Sequence, residues 1–182
     1  IKTKAFWCLL ISFTCFSIYS LGIATNLVPL LTEAGATSVA SLAFAMGLAG
    51  LFARLTVGWL LDRFPGNIIG MFTLLTPLIG CTILLIGSPS TAMLAVAAIS
   101  FGAAIGAEME VALYLGTRHF GLESFAALFG IVIGCAALLS SMSPWIAGKL
   151  HDISGNYDLF LTMIIGVMTL GALAIFMIGR KV

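Results

Sequence analysis

The chain has 182 residues, of which 61% are hydrophobic and only 8% carry a charge. Soluble domains average roughly a quarter charged residues, so this composition is typical of an integral membrane protein. The net charge of +1 comes from scattered residues, which excludes the basic surface of a nucleic-acid-binding protein. Because one crossing of the bilayer takes about 20 apolar residues, the length predicts six spans and no soluble domain.

Six apolar runs, separated by short segments rich in Gly, Pro and polar residues, are predicted to be the spans. The predicted fold is all-α, with one six-helix transmembrane unit. The runs cover residues 5–31, 38–61, 67–87, 91–115, 124–148 and 158–179. The third and sixth have almost no polar side chains beyond Thr, so we expect them to face lipid and the other four to line a pathway.

The positively charged residues predict how the chain is oriented. If the N-terminus and the connections after the second, fourth and sixth spans share one side, that side holds six of the eight, and the others are Lys149 on the opposite side and Arg54 inside the second span. The positive-inside rule then predicts a multi-pass protein of the cell membrane with both termini in the cytoplasm. The residues on that side are Lys2, Lys4, Arg63, Arg118, Arg180 and Lys181.

A pattern at the end of the second run recurs 90 residues later, at the end of the fifth. The first copy contains Gly58, Asp62 and Gly66, and the second contains Gly148, Asp152 and Gly155. An odd number of helices separates the copies, so they fall on opposite sides of the membrane. This predicts an inverted repeat of three helices plus three, residues 1–87 and 91–182. The alternative is that Gly and Asp simply end helices often.

Three charged residues lie inside the predicted spans. Arg54 is eight residues before Asp62, or about 12 Å into the second span, and Glu108 and Glu110 lie at a comparable depth in the fourth. A charge near the bilayer centre costs about 2.5–3.5 kcal/mol, so all three should face protein or a wet cavity. Either Arg54 only pairs with these glutamates, or it binds a substrate carboxylate while a glutamate exchanges a proton.

Other polar residues are candidates for substrate contact or gating. Tyr19, Asn26 and Tyr114 are candidate substrate-binding residues, with structural hydrogen bonding as the alternative. Asp62 and Arg63, between Gly58 and Gly66, form a candidate gating hinge, with a helix cap and a membrane-surface anchor as the alternative. His119 and His151 are predicted to be solvated in loops. The four cysteines are predicted to be packing residues, and no metal or cofactor is expected.

The run from Gly58 to Gly66, with Asp62 and Arg63, resembles the loop signature of major facilitator superfamily transporters. Preceded by Arg54, it is similar to the eighth helix of the monocarboxylate transporter-like branch, and residues 106–157 are similar to helices ten to twelve. The resemblance implies a twelve-helix transporter working by alternating access, of which this chain is the C-terminal half. It also implies that Arg54 binds the substrate carboxylate, often with proton coupling.

The sequence therefore predicts a secondary transporter for a small organic anion, and a monocarboxylate is the favoured substrate. Its expected partners are the lipid bilayer and either an N-terminal six-helix half or a second copy of the chain. Because the first residue is Ile, the chain is expected to be a piece of a longer protein. An intramembrane protease is disfavoured because both histidines lie outside the spans. A structural or assembly subunit without transport is the alternative.

Overall fold

The structure is a computed structural model that describes residues 4–178, apart from the side chains of residues 122–124. The predicted cytoplasmic residues Lys2, Arg180 and Lys181 lie outside this part of the chain. The described part is all-helical, and six of its helices are long and apolar enough to cross a membrane. This confirms an all-α, multi-pass membrane fold with six spans.

The six spans alternate with short connections. They are α1 (Lys4–Glu33), α2 (Val39–Leu61), α3 (Gly66–Leu84), α4 (Thr91–Gly121), α5 (Phe125–Ser154) and α6 (Asp158–Phe176). Helical hydrogen bonding runs from Thr91 to Ser140, but Gly121 has φ 70° and ψ 158°, which breaks the helix between α4 and α5. A second break precedes the helical segment Ser143–Ser154, which completes α5.

Several helix ends carry local signals that the sequence contains. The Ser90 hydroxyl accepts a hydrogen bond from the Met93 amide at 3.4 Å and caps the start of α4. Gly155 ends α5 in the left-handed conformation, φ 74° and ψ 4°, which a residue without Cβ adopts at low cost. The structure extends α4 and α5 beyond the predicted boundaries, so His119 and His151 lie on helices. Their prediction as loop residues was wrong.

Helices α1, α3, α4 and α6 share the apolar core. Small residues allow them to approach: a Cβ added at Gly70 would lie 2.8 Å from Val111 of α4 and 2.6 Å from Ile175 of α6. The Ser12 hydroxyl of α1 donates to the Gly171 carbonyl of α6 at 3.0 Å. Close contact between small residues and hydrogen bonds across helices are how membrane helices associate in the absence of a hydrophobic driving force.

The second span is the most exposed, and its only buried residues are Leu42 and Leu61. The third and sixth spans each bury eight residues, because α3 packs on α4 and α6, and α6 also packs on α1. Each helix also exposes large apolar side chains, such as Phe72 of α3 and Leu170 of α6, so their contact with lipid stays a prediction. Low polarity alone cannot distinguish a helix surrounded by lipid from one surrounded by apolar neighbours, since both environments favour the same side chains.

Contacts between helix ends show which connections lie together. At one end, the Phe6 and Phe120 rings are 6.1 Å apart, which brings the start of α1 to the end of α4. At the opposite end, the His151 ring nitrogen lies 3.3 Å from the Glu33 carboxylate, which joins the ends of α1 and α5. Lys4 and Arg118 therefore lie near one end and Lys149 near the other, as the alternation of spans requires.

Candidate functional site

The closest approach between two helices is the crossing of α2 and α4. A Cβ added at Gly102 would collide with the Met46 carbonyl oxygen and would lie 2.7 Å from the Met46 carbonyl carbon. At Gly106 it would collide with the Gly50 carbonyl oxygen and lie 2.6 Å from the Gly50 Cα. The two backbones therefore touch. A Cβ added at Gly50 would lie 3.1 Å from the Gly102 carbonyl oxygen.

Arg54 follows this crossing on α2 and reaches across to α4. Its Nε lies 3.4 Å from the Glu110 carboxylate and donates to the Gly106 carbonyl oxygen, also at 3.4 Å. The Arg54 side chain is 56% exposed and that of Glu110 is 33% exposed. Both recorded distances are to the same nitrogen, and within residues 4–178 neither Nη atom makes a hydrogen bond. The predicted meeting of Arg54 with a glutamate of α4 is confirmed for Glu110.

An open groove of about 440 Å³ runs along the α2–α4 crossing and ends at Arg54. Its other lining residues are small or apolar. They are Ala43, Met46, Gly47, Gly50, Leu51, Gly102, Ile105 and Gly106. A cationic fork at one end of an apolar groove matches a ligand with a carboxylate head and a short apolar body.

Glu108 does not share this site. It lies two residues before Glu110, and at 3.6 residues per turn the two side chains leave α4 on nearly opposite faces. The Glu108 side chain lines cavities formed with α1, α3, α5 and α6 instead. Its Oε1 is buried and makes no hydrogen bond within the described residues. The prediction that Arg54 faces both glutamates was therefore wrong for Glu108, because equal depth in the membrane does not place two side chains on the same helix face.

Tyr19 was a candidate substrate-binding residue, but its side chain is completely buried in the core. Its hydroxyl donates to the Phe101 carbonyl oxygen at 3.0 Å, and its ring lies 5.3 Å from that of Phe16. The residue therefore joins α1 to α4 and does not reach the groove at Arg54. Its assignment to substrate binding is not supported.

We expect Tyr19→Phe to lower the free energy of unfolding by about 1 kcal/mol, because it removes one buried hydrogen bond and leaves the packing unchanged. Thermal or denaturant unfolding in detergent measures the change. Tyr114→Phe, in which the ring is only partly buried, is the matched control and should be neutral. If Tyr19→Phe left stability unchanged but weakened ligand binding, the structural role would be contradicted and Tyr19 would be a substrate-binding residue.

Asn26 and Tyr114 also make local or packing contacts. The Asn26 amide donates to the Gly22 carbonyl one turn earlier on α1, at 2.9 Å. The Tyr114 ring packs on the start of α3, where a Cβ added at Gly66 would lie 2.7 Å from it, and the Arg118 guanidinium sits 5.0 Å above its centre. Neither residue lines the groove that contains Arg54.

The predicted gating segment forms a compact turn at the end of α2. Asp62 is exposed and ends the helix, and the Arg63 guanidinium lies 4.2 Å above the Trp59 ring. Gly66 is buried within the first turn of α3, and Gly58 is helical with open space where a Cβ would be. Both glycines therefore have helical backbones, and Gly66 provides the close contact with α4 described above. The Arg63–Trp59 contact fits the membrane-surface anchor, and a gating role for this segment stays a prediction.

The second copy of the repeated pattern has different local geometry. Gly148 is helical with open space beside it, as Gly58 is, and Asp152 is exposed, as Asp62 is. However, Asp62 follows the last residue of α2, whereas Asp152 lies within α5, and Gly155 is the left-handed cap. The copies agree in spacing and exposure at the Gly58–Gly148 and Asp62–Asp152 positions, but not at the third glycine, since Gly66 is buried and Gly155 is exposed. The inverted repeat stays a prediction.

The end of the molecule opposite Arg63 contains a polar cluster that sequence reasoning missed. The His151 ring nitrogen lies 3.3 Å from the Glu33 carboxylate and its ring centre 4.6 Å from that of Tyr157. The pKa of Tyr157 is raised, first by partial burial and then by the negative charges of Glu33 and Asp152. A pair separated by more than a hundred residues leaves no local sequence signal.

The cysteines make no disulfide, and Cys8, Cys15 and Cys81 are buried, as expected for packing residues. Among the described residues, no group of three His, Cys, Asp or Glu side chains is arranged to hold a metal ion. No family model matches the chain, and no curated protein matches it at a significant level. The case for a function therefore comes from the chemistry of the groove and of the Glu108 carboxyl.

Proposed function

We propose that the chain is a six-helix half of a secondary transporter of the major facilitator type, which moves a small organic anion by alternating access. The favoured substrate is a monocarboxylate. The observation that carries this proposal is the Arg54 guanidinium, which is half-exposed in an open groove and whose two Nη atoms make no hydrogen bond in the described residues. Such a fork binds a planar carboxylate through two parallel hydrogen bonds.

Glu110 gives the site a way to couple binding to protons. Its single contact with Arg54, at 3.4 Å, is longer than the roughly 2.7–2.9 Å of a strong charge-assisted hydrogen bond. A substrate carboxylate on the Nη atoms therefore competes with a weak partner. When the substrate displaces Glu110, this glutamate loses its contact with the Arg54 cation while it still lies within a span. Protonation of Glu110 then removes the energetic cost of an unpaired charge.

The exposed sides of α2 and α5 supply the surface on which a second wall of the pathway would form. The groove at Arg54 is open, and six large apolar side chains of α2 are exposed, so this span lacks neighbours on most of its surface. We propose that an N-terminal six-helix half, or a second copy of the chain, covers it. The positive-inside rule assigns Lys4, Arg63 and Arg118 to the cytoplasm.

Transport of a labelled monocarboxylate tests the proposal directly. Proteoliposomes that contain the full chain, with its partner half where one exists, should take up labelled lactate with saturation. Other monocarboxylates should compete, whereas lactamide, a neutral compound of nearly the same shape, should not compete because it offers no carboxylate to Arg54. Uptake that does not saturate, or that lactamide inhibits as well as acetate does, would contradict the proposal.

A structural or assembly subunit is the second candidate function. It is favoured by the roles of Tyr19, Asn26 and Tyr114, which all make packing or local contacts. In that case the Arg54–Glu110 pair only joins α2 to α4. Lactate and lactamide would then behave alike in the uptake assay.

A further inference from the structure

The groove that ends at Arg54 is elongated, because the two helices that form it run side by side. Successive contacts between α2 and α4 advance by about one helical turn on both helices. They pair Met46 with Gly102, Gly50 with Gly106 and Arg54 with Glu110. The two helices therefore run in the same direction, and the groove follows their axes. A groove of this shape can measure the length of its ligand.

The lining residues of α2 give the length of the groove. Arg54 lies at one end and Ala43 at the other, which is about 16 Å by helical rise. Side chains lean toward the N-terminus of their helix, so Arg54 takes up part of this length and about 10–12 Å remain for a ligand. An extended carbon chain advances about 1.25 Å per bond, so the groove accommodates about eight to ten carbons.

The walls of the groove select an aliphatic tail. Among the described residues that line it, Arg54 is the only one with a charged or hydroxyl-bearing side chain. A second carboxylate or a hydroxyl on the ligand would lie against apolar side chains such as Met46 and Ile105, where it would lose its hydration without gaining a partner. The volume of about 440 Å³ is also typical of pockets for ligands much larger than lactate. The ligand that fits has one charged head and an aliphatic body.

Gly47 stands between the two ends of the groove and leaves room for such a tail. A Cβ added at this position would meet no atom within 4 Å, although Gly47 lines the groove. At Gly50, by contrast, a Cβ would lie 3.1 Å from the Gly102 carbonyl oxygen, so the space there belongs to the helix contact. A larger side chain at position 47 would therefore occupy the groove itself and leave the contact between the helices unchanged.

We infer that the preferred ligand of the Arg54 groove is a medium-chain monocarboxylate of about eight to ten carbons, whose tail passes Gly47 toward Ala43. Gly47 determines the chain length that is accepted, because it has no side chain to block the tail. Lactate occupies only the Arg54 end and binds more weakly. The inference rests on the proposed function, since it takes Arg54 as the carboxylate site.

A series of straight-chain monocarboxylates of increasing length tests the inference. The full chain, with its partner half where one exists, is placed in lipid nanodiscs, and the binding of labelled acid to empty nanodiscs is subtracted. Complete burial of a methylene strengthens binding about fourfold, and in a groove open on one side we expect about twofold. Decanoate should therefore bind about 60-fold more tightly than butyrate. Dodecanoate should bind no more tightly than decanoate, and neutral decanamide should compete poorly.

Gly47→Leu separates the tail from the head of the ligand. It should weaken decanoate binding at least about tenfold and leave butyrate binding unchanged, because butyrate is too short to reach position 47. Ala43→Leu closes only the far end of the groove and should weaken decanoate binding less. Gly166→Leu is the matched control, since a Cβ at this glycine of α6 also meets open space and the residue lies outside the groove. Unfolding in detergent checks that each variant is folded.

The outcomes distinguish the chain-length inference from the proposed transport. Equal affinity of the wild type for butyrate and decanoate overturns the inference, as does folded Gly47→Leu protein that binds decanoate normally or loses both acids equally. Decanoate binding that survives Arg54→Gln also overturns it. Saturable lactate uptake in any of these cases leaves the proposed transport standing. Tight decanoate binding that depends on Arg54 and Gly47, without uptake of any monocarboxylate, supports the inference and contradicts the transport.

Discussion

Arg54→Gln protein is expected to fold but to lose saturable monocarboxylate uptake. The substitution removes the cation and the two-pronged donor while preserving a polar side chain of similar length. Because a hydrogen bond to a charged group contributes about 1.5–3 kcal/mol, losing one or both should weaken binding at least about 10- to 100-fold. Uptake of labelled lactate against concentration, together with unfolding in detergent, measures affinity and stability separately.

Related variants separate charge from geometry at the same site. Arg54→Lys preserves the charge but not the fork, so its affinity should fall between those of the wild type and Arg54→Gln. Glu110→Gln removes the competing carboxylate and should raise affinity while reducing the pH dependence of uptake. Arg118→Gln is the control, because this arginine lies over the Tyr114 ring and outside the groove. Unchanged uptake by folded Arg54→Gln protein would exclude Arg54 as the anion site.

Gly106→Ala and Gly102→Ala should each destabilise the protein by about 1–3 kcal/mol, a typical cost of forcing extra volume into a packed site. The reason is that the new Cβ would collide with a backbone carbonyl oxygen of α2, and a backbone cannot move aside as a flexible side chain can. Helix α2 must shift away from α4, which also separates Arg54 from Glu110. Unfolding in detergent measures the cost, and anion binding should weaken in parallel.

Two glycines of α2 provide graded controls for this prediction. A Cβ at Gly50 would lie 3.1 Å from the Gly102 carbonyl oxygen, so Gly50→Ala should have a smaller effect. Gly47 has open space around it, and Gly47→Ala should be neutral or stabilise the helix by up to about 1 kcal/mol. Equal stability of the Gly47 and Gly106 variants would show that α2 and α4 are not in backbone contact.

Sequence reasoning was most successful where local composition decides the structure. Apolar run length determines whether a segment can cross a bilayer, so counting residues gave the number of spans. It also placed the start of each of the six spans within one residue of the observed start. It also placed Arg54 and Glu110 at matching depth, and the ion pair between them is present. The ends of α4 and α5 were each predicted six residues too early, because a helix can continue through polar residues at the membrane surface.

The sequence by itself determined an all-helical membrane fold of six spans, with three charged residues placed within them. Only the tertiary structure decided which side chains meet. It pairs Arg54 with Glu110, turns Glu108 toward a different cavity and buries Tyr19 in the core. The physical reason is that residue counting measures depth along a helix, whereas contact also depends on its rotation and on how closely glycines allow its neighbours to approach.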